Sequence, residues 1–299
     1  MLNRKIDNEI DAHFSNSKKA LFLTGARQVG KTYSIRKYAK LHGLNLIEFN
    51  FLLQPEAMDI INGAGDVKEL LLRISAYSRV PLMRSKTLIF FDEVQECPDV
   101  MTWVKALVDE GSYIYALSGS LLGVELKDIR SVPVGYMSEM QVYPMDFEEF
   151  VRAVGVPENV LDAVKKSWSE KTPVDAYIHE KMMQLFQLYI IVGGMPAAVQ
   201  TYIDSNNIQN VVKEQRDIIN LYKKDIARYD QDVRKKLYIN EVFDLIPSEL
   251  NSKNKRFILK RLNENMTFGR HENDFIWLKD ADMALPTYNV EEPVSPLKL

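Results

Sequence analysis

Residues 20–32 read ALFLTGARQVGKT, and this stretch decides the fold. The apolar run Ala20 to Leu23 predicts a strand, and Thr32 to Leu41 has the pattern of a helix. Between them, GARQVGKT (Gly25 to Thr32) matches the phosphate-binding pattern G-x-x-x-x-G-K-[ST], which requires a strand before it and a helix after it. Both are predicted here, which argues against a chance match in a glycine-containing turn.

The residue types of this loop suit a bound nucleoside triphosphate with Mg²⁺. Gly25 and Gly30 let the backbone approach a phosphate closely, and N–H groups at the helix N-terminus supply a positive field. Lys31 is expected to reach the β- and γ-phosphates, and the Thr32 hydroxyl to bind Mg²⁺. The predicted nucleotide-binding residues of the loop are Gly25, Ala26, Arg27, Gln28, Val29, Gly30, Lys31, Thr32 and Tyr33.

The pattern on either side of the loop predicts an α/β fold. Apolar runs at Leu46 to Phe49, Thr87 to Phe91 and Tyr113 to Leu117 predict further strands, with one more at Val142 to Tyr143. Strands that are apolar on both faces and alternate with helices indicate a parallel sheet with helices on both faces. The helices of this part are predicted at Ile6 to Phe14, Val67 to Val80, Met101 to Asp109 and Phe147 to Arg152.

The pattern changes after about residue 150, where helical stretches follow one another without a strand signal. From about Val233, three more helical stretches precede the Pro-rich LPTYNVEEPVSP. We therefore predict a P-loop domain at residues 1–152, a helical lid at 153–232 and a winged-helix-like segment at 233–299. The helices of the predicted lid are Asn159 to Trp168, His179 to Val192, Ala197 to Asp204 and Ile208 to Ala227.

Two acidic residues follow the most apolar strand, in LIFFDEVQ (Leu88 to Gln95). This places Asp92 and Glu93 at the carboxyl end of a buried strand, the edge at which open α/β sheets bind ligands. Asp92 is expected to hold Mg²⁺, and Glu93 to act as general base on the attacking water. Two solvated acids that cap a strand are the alternative, and the neighbouring phosphate loop argues against it.

Two serines follow the fourth strand, in ALSGS (Ala116 to Ser120). A small polar side chain at this edge is positioned to contact a γ-phosphate or to orient water. Ser118 and Ser120 are both candidates, and an ordinary Ser/Gly turn is an equally good interpretation. With Lys31 and Glu93 they make up the predicted catalytic residues.

Composition excludes several classes of protein. Hydrophobic residues make up 46% and charged residues 26%, as in globular proteins, and the net charge of −3 lacks a polycationic signature. The single cysteine, Cys97, and the absence of a signal-peptide pattern predict a cytoplasmic protein. The most apolar stretch, Leu185 to Val199, is shorter than the ~20 residues that span a bilayer and is broken by Gly and Pro, so no membrane segment is predicted.

Six motifs occur along the chain in this order: GARQVGKT, FFDEVQ, LSGS, YPMDFEEF (143–150), IVGGMP (191–196) and YKKDIARY (222–229). With these motifs the chain resembles, over nearly its whole length, a group of prokaryotic AAA+ P-loop ATPases that is similar to archaeal ATPases and to the signal-transducing STAND class. The resemblance implies binding and hydrolysis of ATP. Members usually continue into a C-terminal domain of unknown function that resembles a restriction endonuclease; the sequence stops at Leu299, so we predict no nuclease residues.

The resemblance also suggests a role for GGMP. In STAND-type proteins a G-x-P proline packs on adenine, which makes Pro196 a predicted nucleotide contact; the residues alone indicate a helix break, and both interpretations can hold. Many members carry Gly-Arg where this chain has Gly135 and Tyr136. No arginine finger can be assigned. The remaining arginines considered are Arg27, Arg130 and Arg152.

A basic cluster raises the possibility of a DNA partner. If the basic side chains lie on one helix, they would contact DNA phosphates. Acidic residues in the next helix would repel the phosphates of a DNA groove, so a solvent-exposed charged surface is the favoured interpretation. We expect an ATPase that hydrolyses the β–γ bond to drive a conformational switch, with a homo-oligomer left open. The alternative is a slow-turnover, nucleotide-dependent regulatory or DNA-associated module of a defence or toxin-like system. The basic residues are Lys253, Lys255, Arg256, Lys260 and Arg261; the acids are Glu272, Asp274, Asp280 and Asp282.

Overall fold

The computed structural model describes residues 2–78, 80–120, 135–229, 233–252 and 275–287. Its first part is built on a five-stranded sheet in the order β2-β3-β4-β1-β5, in which every pair of neighbouring strands is parallel. Flanking helices complete the α/β fold, as predicted. The strands are β1 (Ala20–Thr24), β2 (Asn45–Asn50), β3 (Thr87–Asp92), β4 (Ile114–Ser118) and β5 (Met137–Gln141).

The central strands form the core because their side chains are apolar on both faces. Every residue of β3 is buried, and so are four of the five residues of β1. Because the five strands run in the same direction, the residues that follow β1, β3 and β4 lie together at the carboxyl edge of the sheet. The helices of this part are α1 (Lys5–Asn16), α2 (Lys31–Leu41), α3 (Met58–Asn62), α4 (Val67–Ser78) and α5 (Val100–Glu110).

The last strand is the one whose position was predicted wrongly. Val142 and Tyr143 follow β5 instead of forming it, and β5 pairs with β1 so that Ala20 lies beside Met137. The strand reads MSEMQ and every one of its residues keeps some exposure, because it lies at the edge of the sheet. An edge strand of this kind has no apolar run for a sequence pattern to detect.

The rest of the described chain is helical, and no strand occurs in the described residues after 150. Residues 275–280 are also helical. Residues 253–274 and 288–299 of the predicted winged-helix-like segment lie outside the described residues, as do the basic cluster Lys253 to Arg261, Glu272 and Asp274. The helices are α6 (Phe147–Ala153), α7 (Glu158–Glu170), α8 (Ala176–Val192), α9 (Pro196–Ser205), α10 (Ile208–Tyr229) and α11 (Val233–Asn251).

The chain divides into two compact units between Ile219 and Asn220. The first unit contains the sheet and the helices up to α9, and α6, α8 and α9 pack on a shared apolar cluster that includes Phe150, Val192 and Val199. The second unit has a core of its own, formed by Ile226, Ile239, Val242, Trp277, Leu278 and Ala281. The domain boundaries near residues 152 and 232 remain predictions.

Within the described residues, no helix by itself has the length and apolar character needed to cross a membrane. In the same part of the chain, α8 and α9 taken together meet those two criteria, as a pair bent by 118°.

Candidate nucleotide-binding site

The loop between β1 and α2 is shaped by its two glycines. Gly25 and Gly30 have φ angles of +132° and +102°, values that side-chain-bearing residues rarely adopt. A Cβ atom on Gly25 would also collide with the carbonyl oxygen of Val142. Gly30 is the N-cap of α2, so the N–H groups of the first turn of that helix face the loop. The backbone therefore has the conformation that a phosphate-binding loop needs.

Lys31 lies inside this loop. Its side chain is buried, and Nζ donates hydrogen bonds to the carbonyl oxygens of Gly25 at 2.6 Å and Ala26 at 2.8 Å. The ammonium group is thus held within the curve of the loop, where it can attract an anion. Ala26 and Val29 have buried side chains, so they present backbone rather than side-chain atoms to a ligand.

Asp92 ends β3 and gathers donors from three other elements. Its Oδ2 accepts hydrogen bonds from the Thr32 hydroxyl and from Asn50 Nδ2, both at 2.9 Å. Its Oδ1 accepts one from the Ser118 hydroxyl. Burial is the main reason that the pKa of Asp92 is raised above its usual value, and hydrogen bonds from Ser118 and Thr32 oppose that shift.

Glu93 forms a separate group with the second serine. It has a left-handed backbone conformation (φ +57°), and its Oε2 accepts hydrogen bonds from Gln95 Nε2 at 2.5 Å and from Ser120 Oγ at 3.0 Å. Arg27 of the loop donates from Nε to Ser120 Oγ at 3.3 Å. The two serines therefore have different partners: Ser118 contacts Asp92, and Ser120 links Glu93 to the phosphate loop.

Thr32 and Asp92 have the chemistry that Mg²⁺ needs. Hydroxyl and carboxylate oxygens are hard donors, and Mg²⁺ in nucleotide sites takes one or two such protein ligands and completes its shell with phosphate oxygens and water. The 2.9 Å contact between the two side chains puts them at one point of the sheet edge. No cluster of three or more His, Cys, Asp or Glu side chains suited to a metal occurs in the described part of the chain.

A cavity of 590 Å³ adjoins the loop and extends to α9. Pro196 is the first residue of α9 and lies close to the loop, since a Cβ atom built on Gly30 would be 3.8 Å from its Cγ. The lining of the cavity includes Tyr33 and Glu93. The complete lining is Leu2, Arg4, Gln28, Gly30, Lys31, Thr32, Tyr33, Arg36, Glu93, Pro196, Ala197 and Gln200.

GGMP breaks the helical run as the residues alone indicate, because α8 ends at Val192 and α9 begins at Pro196. The break is held by the YPMD segment: Met145 N–H donates to the Gly194 carbonyl oxygen at 2.7 Å. Gly194 lies so close that a Cβ atom on it would collide with the carbonyl oxygen of Met145. Two motifs that are about fifty residues apart in the sequence are therefore in direct contact.

Three residues of the site were missed by the sequence analysis. Asn50 ends β2 at the same sheet edge as Asp92. A polar amide side chain directly after an apolar strand is the feature of the sequence that could have indicated it. Gln95 lies two residues after Glu93 and donates to it. Arg4, only 7% exposed, donates to the Glu149 carboxylate and to the carbonyl oxygens of two other residues, and no pattern marks it. The carbonyl acceptors of Arg4 are Val29 at 2.9 Å and Tyr143 at 2.7 Å.

Of the arginines considered, the structure describes Arg27 and Arg152, and the contacts of these two do not assign an arginine finger. Arg152 forms ion pairs with Glu148 and Glu158, both at 2.7 Å, and its pKa is raised, first by the hydrogen bond to Glu158. Arg27 is part of the loop and contacts Ser120. Arg130 lies outside the described residues.

Comparison with known proteins bears on this site. No curated protein matches the chain. Among solved structures, the Walker-type ATPase paby2304 of Pyrococcus abyssi is similar, with a TM-score of 0.53 and 16% identity over 94% of this chain and 90% of that one. The ORC1 protein of Aeropyrum pernix, solved in complex with DNA, has a TM-score of 0.36 and 15% identity, over 94% and 84% of the two chains.

Two family models match parts of the sequence. Residues 183–296 match a family described as a domain of unknown function (DUF8612). Residues 17–151 match a family described as an AAA domain, and they contain the phosphate loop, Asp92 and Glu93. The fold and the phosphate loop agree with this match, so residues 17–151 are similar to AAA domains and have the fold of a P-loop protein.

Proposed function

We propose that the protein binds ATP with Mg²⁺, hydrolyses the β–γ bond and uses the reaction to change conformation. The observation that carries the proposal is the junction at the sheet edge, where Thr32 of the loop donates to Asp92 of β3 at 2.9 Å. Lys31 lies buried in the adjacent loop. A phosphate-binding loop, a buried cation and a hydroxyl–carboxylate pair together suit a metal-bound triphosphate.

Each side chain has a distinct role in this proposal. Lys31 exchanges the carbonyl oxygens of Gly25 and Ala26 for β- and γ-phosphate oxygens, while Thr32 and Asp92 hold Mg²⁺. The metal, when bound, neutralises charge that develops on the phosphates. Ser118 keeps the Asp92 carboxylate oriented through its hydrogen bond to Oδ1.

Glu93 is the proposed general base. Gln95 and Ser120 both donate to its Oε2, and we assign its other oxygen, Oε1, to the attacking water. The water oxygen bonds to the γ-phosphorus, the bond from that phosphorus to the bridging oxygen breaks, and a proton passes from the water to Glu93. Arg27 contacts Ser120, which couples the position of the base to the loop that senses the phosphates.

The cavity between the loop and α9 is the proposed place of the nucleoside. Pro196, Ala197 and Leu2 give it apolar surface, and Tyr33 of α2 also lines it. We propose that Pro196 packs on adenine and that the helical lid, residues 153–232, closes on bound nucleotide. The base would contact both the loop and the lid only when the lid is closed. Nucleotide would therefore bind the closed form more tightly than the open form and shift the protein toward it.

A slow-turnover regulatory module is the second candidate, and one observation favours it. Glu93 is held in place by two donors, Gln95 and Ser120, so a water that lies beyond the reach of Oε1 could be activated only if those hydrogen bonds broke. Such a protein would retain nucleotide and signal through its bound state. DNA and a second copy of this chain remain proposed partners; the DNA proposal rests on the sequence cluster from Lys253 to Arg261 alone.

Two substitutions test the proposed function. Lys31→Ala should abolish tight binding of Mg-ATP, because a charge-assisted contact to the phosphates is lost. Glu93→Gln should keep that affinity while phosphate release slows by about 100-fold or more, because the amide keeps the shape but accepts no proton. Calorimetry measures the binding, and a phosphate-release assay measures the rate.

The results also separate the two candidates. Rapid phosphate release by the wild type supports the ATPase, whereas nucleotide retained over many hours without release supports the regulatory module. Unchanged affinity of Lys31→Ala would overturn nucleotide binding at the loop. Wild-type rates in Glu93→Gln would show that Glu93 is not the base.

A further inference from the structure

We propose that Gln200 reads the base of the bound nucleotide and selects a purine with an exocyclic amino group at C6, as adenine has. The inference rests on the proposed function, since it concerns the nucleotide in the same cavity. It adds a specificity-determining residue on α9 to the contacts already described.

Gln200 is placed on the α9 side of the cavity. It lies four residues after Pro196, so the two side chains project from the same face of the helix, one turn apart. Three residues of α9 line the cavity, Pro196, Ala197 and Gln200, and only the last has a polar side chain. A base lying against Pro196 would therefore meet Gln200 at its polar edge.

The orientation of the Gln200 amide follows from its neighbour. Nε2 of Gln200 donates a hydrogen bond to Asp204 Oδ1 at 2.8 Å. An ionised carboxylate only accepts hydrogen bonds, so the amide nitrogen has to face Asp204. The carbonyl oxygen, Oε1, is then directed away from Asp204 and is the atom presented to a ligand.

A fixed acceptor distinguishes bases by their C6 substituent. Adenine carries an amino group there, which donates to Oε1, whereas hypoxanthine and guanine carry a carbonyl oxygen, which would face Oε1 as a second acceptor. Sites built to bond a donor reject analogues that lack it, because the site's own polar group is left unpaired. We expect roughly a tenfold preference for ATP over purine riboside triphosphate, which lacks the amino group. Discrimination against inosine triphosphate should be larger.

The experiment measures the binding of three triphosphates to the full chain by calorimetry in the presence of Mg²⁺: ATP, purine riboside triphosphate and inosine triphosphate. Gln200→Ala should bind all three with similar affinity. Asp204→Ala should retain ATP but discriminate less against inosine triphosphate, because the freed amide can turn its nitrogen toward the carbonyl. Gln184→Ala is the matched control, since Gln184 of α8 also donates to a carboxylate four residues away, that of Glu180, and does not line the cavity.

The outcomes separate this inference from the function on which it rests. Equal discrimination by the wild type and Gln200→Ala would overturn the role of Gln200 and leave nucleotide binding in place. A wild type that binds none of the three triphosphates would overturn the proposed function and this inference with it. Melting temperatures of the variants, measured without nucleotide, show whether any loss of binding comes from loss of folding.

Discussion

At the scale of single residues, Gly194 lies against the backbone of Met145 with no space for a side chain between them. Its φ angle is not in the left-handed region, so space alone requires glycine there. We expect Gly194→Ala to lower the free energy of unfolding by about 2 kcal/mol or more, because backbone has to move. Chemical denaturation measures the effect.

Gly43 supplies the control for that prediction. It has a φ angle of +60° and nothing within 4 Å of the place of a Cβ atom, so Gly43→Ala introduces conformational strain without a collision. That strain costs about 1 kcal/mol. If Gly194→Ala is no more destabilising than Gly43→Ala, the contact between the GGMP and YPMD segments is not close enough to need glycine.

Residue chemistry also limits what the sequence reveals. Lys31, Thr32, Asp92 and Glu93 lie together at the sheet edge because the motif that contains each of them directly follows a strand. Asn50, Gln95 and Arg4 have no such motif. Their roles depend on which carboxylate or carbonyl comes within reach after folding, and only three-dimensional proximity supplies that information.

At the scale of elements, Glu148 joins three helices. Its carboxylate forms ion pairs with Lys5 of α1, Arg152 of α6 and Lys165 of α7. Hydrogen bonds from Lys165 and then Lys5 lower the pKa of Glu148 from 4.5 to about 2. The folded protein therefore prefers the ionised form, and the stabilisation is complete only at pH values above the unfolded pKa.

This gives a pH-dependent prediction. At neutral pH, Glu148→Gln should lower the free energy of unfolding by about 1 kcal/mol, a modest effect because solvent screens the pairs. As the pH falls from 4.5 toward 2, Glu148 becomes protonated first in the unfolded wild-type chain and then in the folded protein, so the difference between the two proteins should shrink. Denaturation curves of both proteins at several pH values measure it; a constant difference would mean that the pairs contribute nothing through charge.

Elements differ in how well the sequence predicts them. The buried strands β1, β3 and β4 are apolar runs, and they lie within one or two residues of their predicted ends. The β5 strand, MSEMQ, was placed a few residues too late because an edge strand needs no apolar face. Hydrogen bonds to β1 hold it in place, and backbone hydrogen bonds leave no trace in residue type.

At the scale of the whole molecule, ligand binding in the first unit should stabilise that unit by mass action. If Pro196 packs on the base, hydrogen exchange in Leu185 to Tyr202 should slow when ATP is added to the full chain. Pro196→Ala should weaken ATP more than it weakens inorganic triphosphate, because only the contact to the base is lost. Exchange mass spectrometry and calorimetry measure the two effects.

The control for this prediction is inorganic triphosphate, which fills the loop without a base. It should protect Gly25 to Thr32 and leave Leu185 to Tyr202 exchanging as in the nucleotide-free protein. Equal exchange in the latter segment under all conditions would mean that GGMP is a helix break only, and that the lid does not respond to nucleotide.

The position of the first residues has a practical consequence for anyone who prepares this protein. Leu2 lines the same cavity as Lys31 and Pro196, and Arg4 is buried between the loop and α6. Leu2 therefore lies at the wall of that cavity. A bulky label attached close to Leu2 would compete with ligands for space in that cavity.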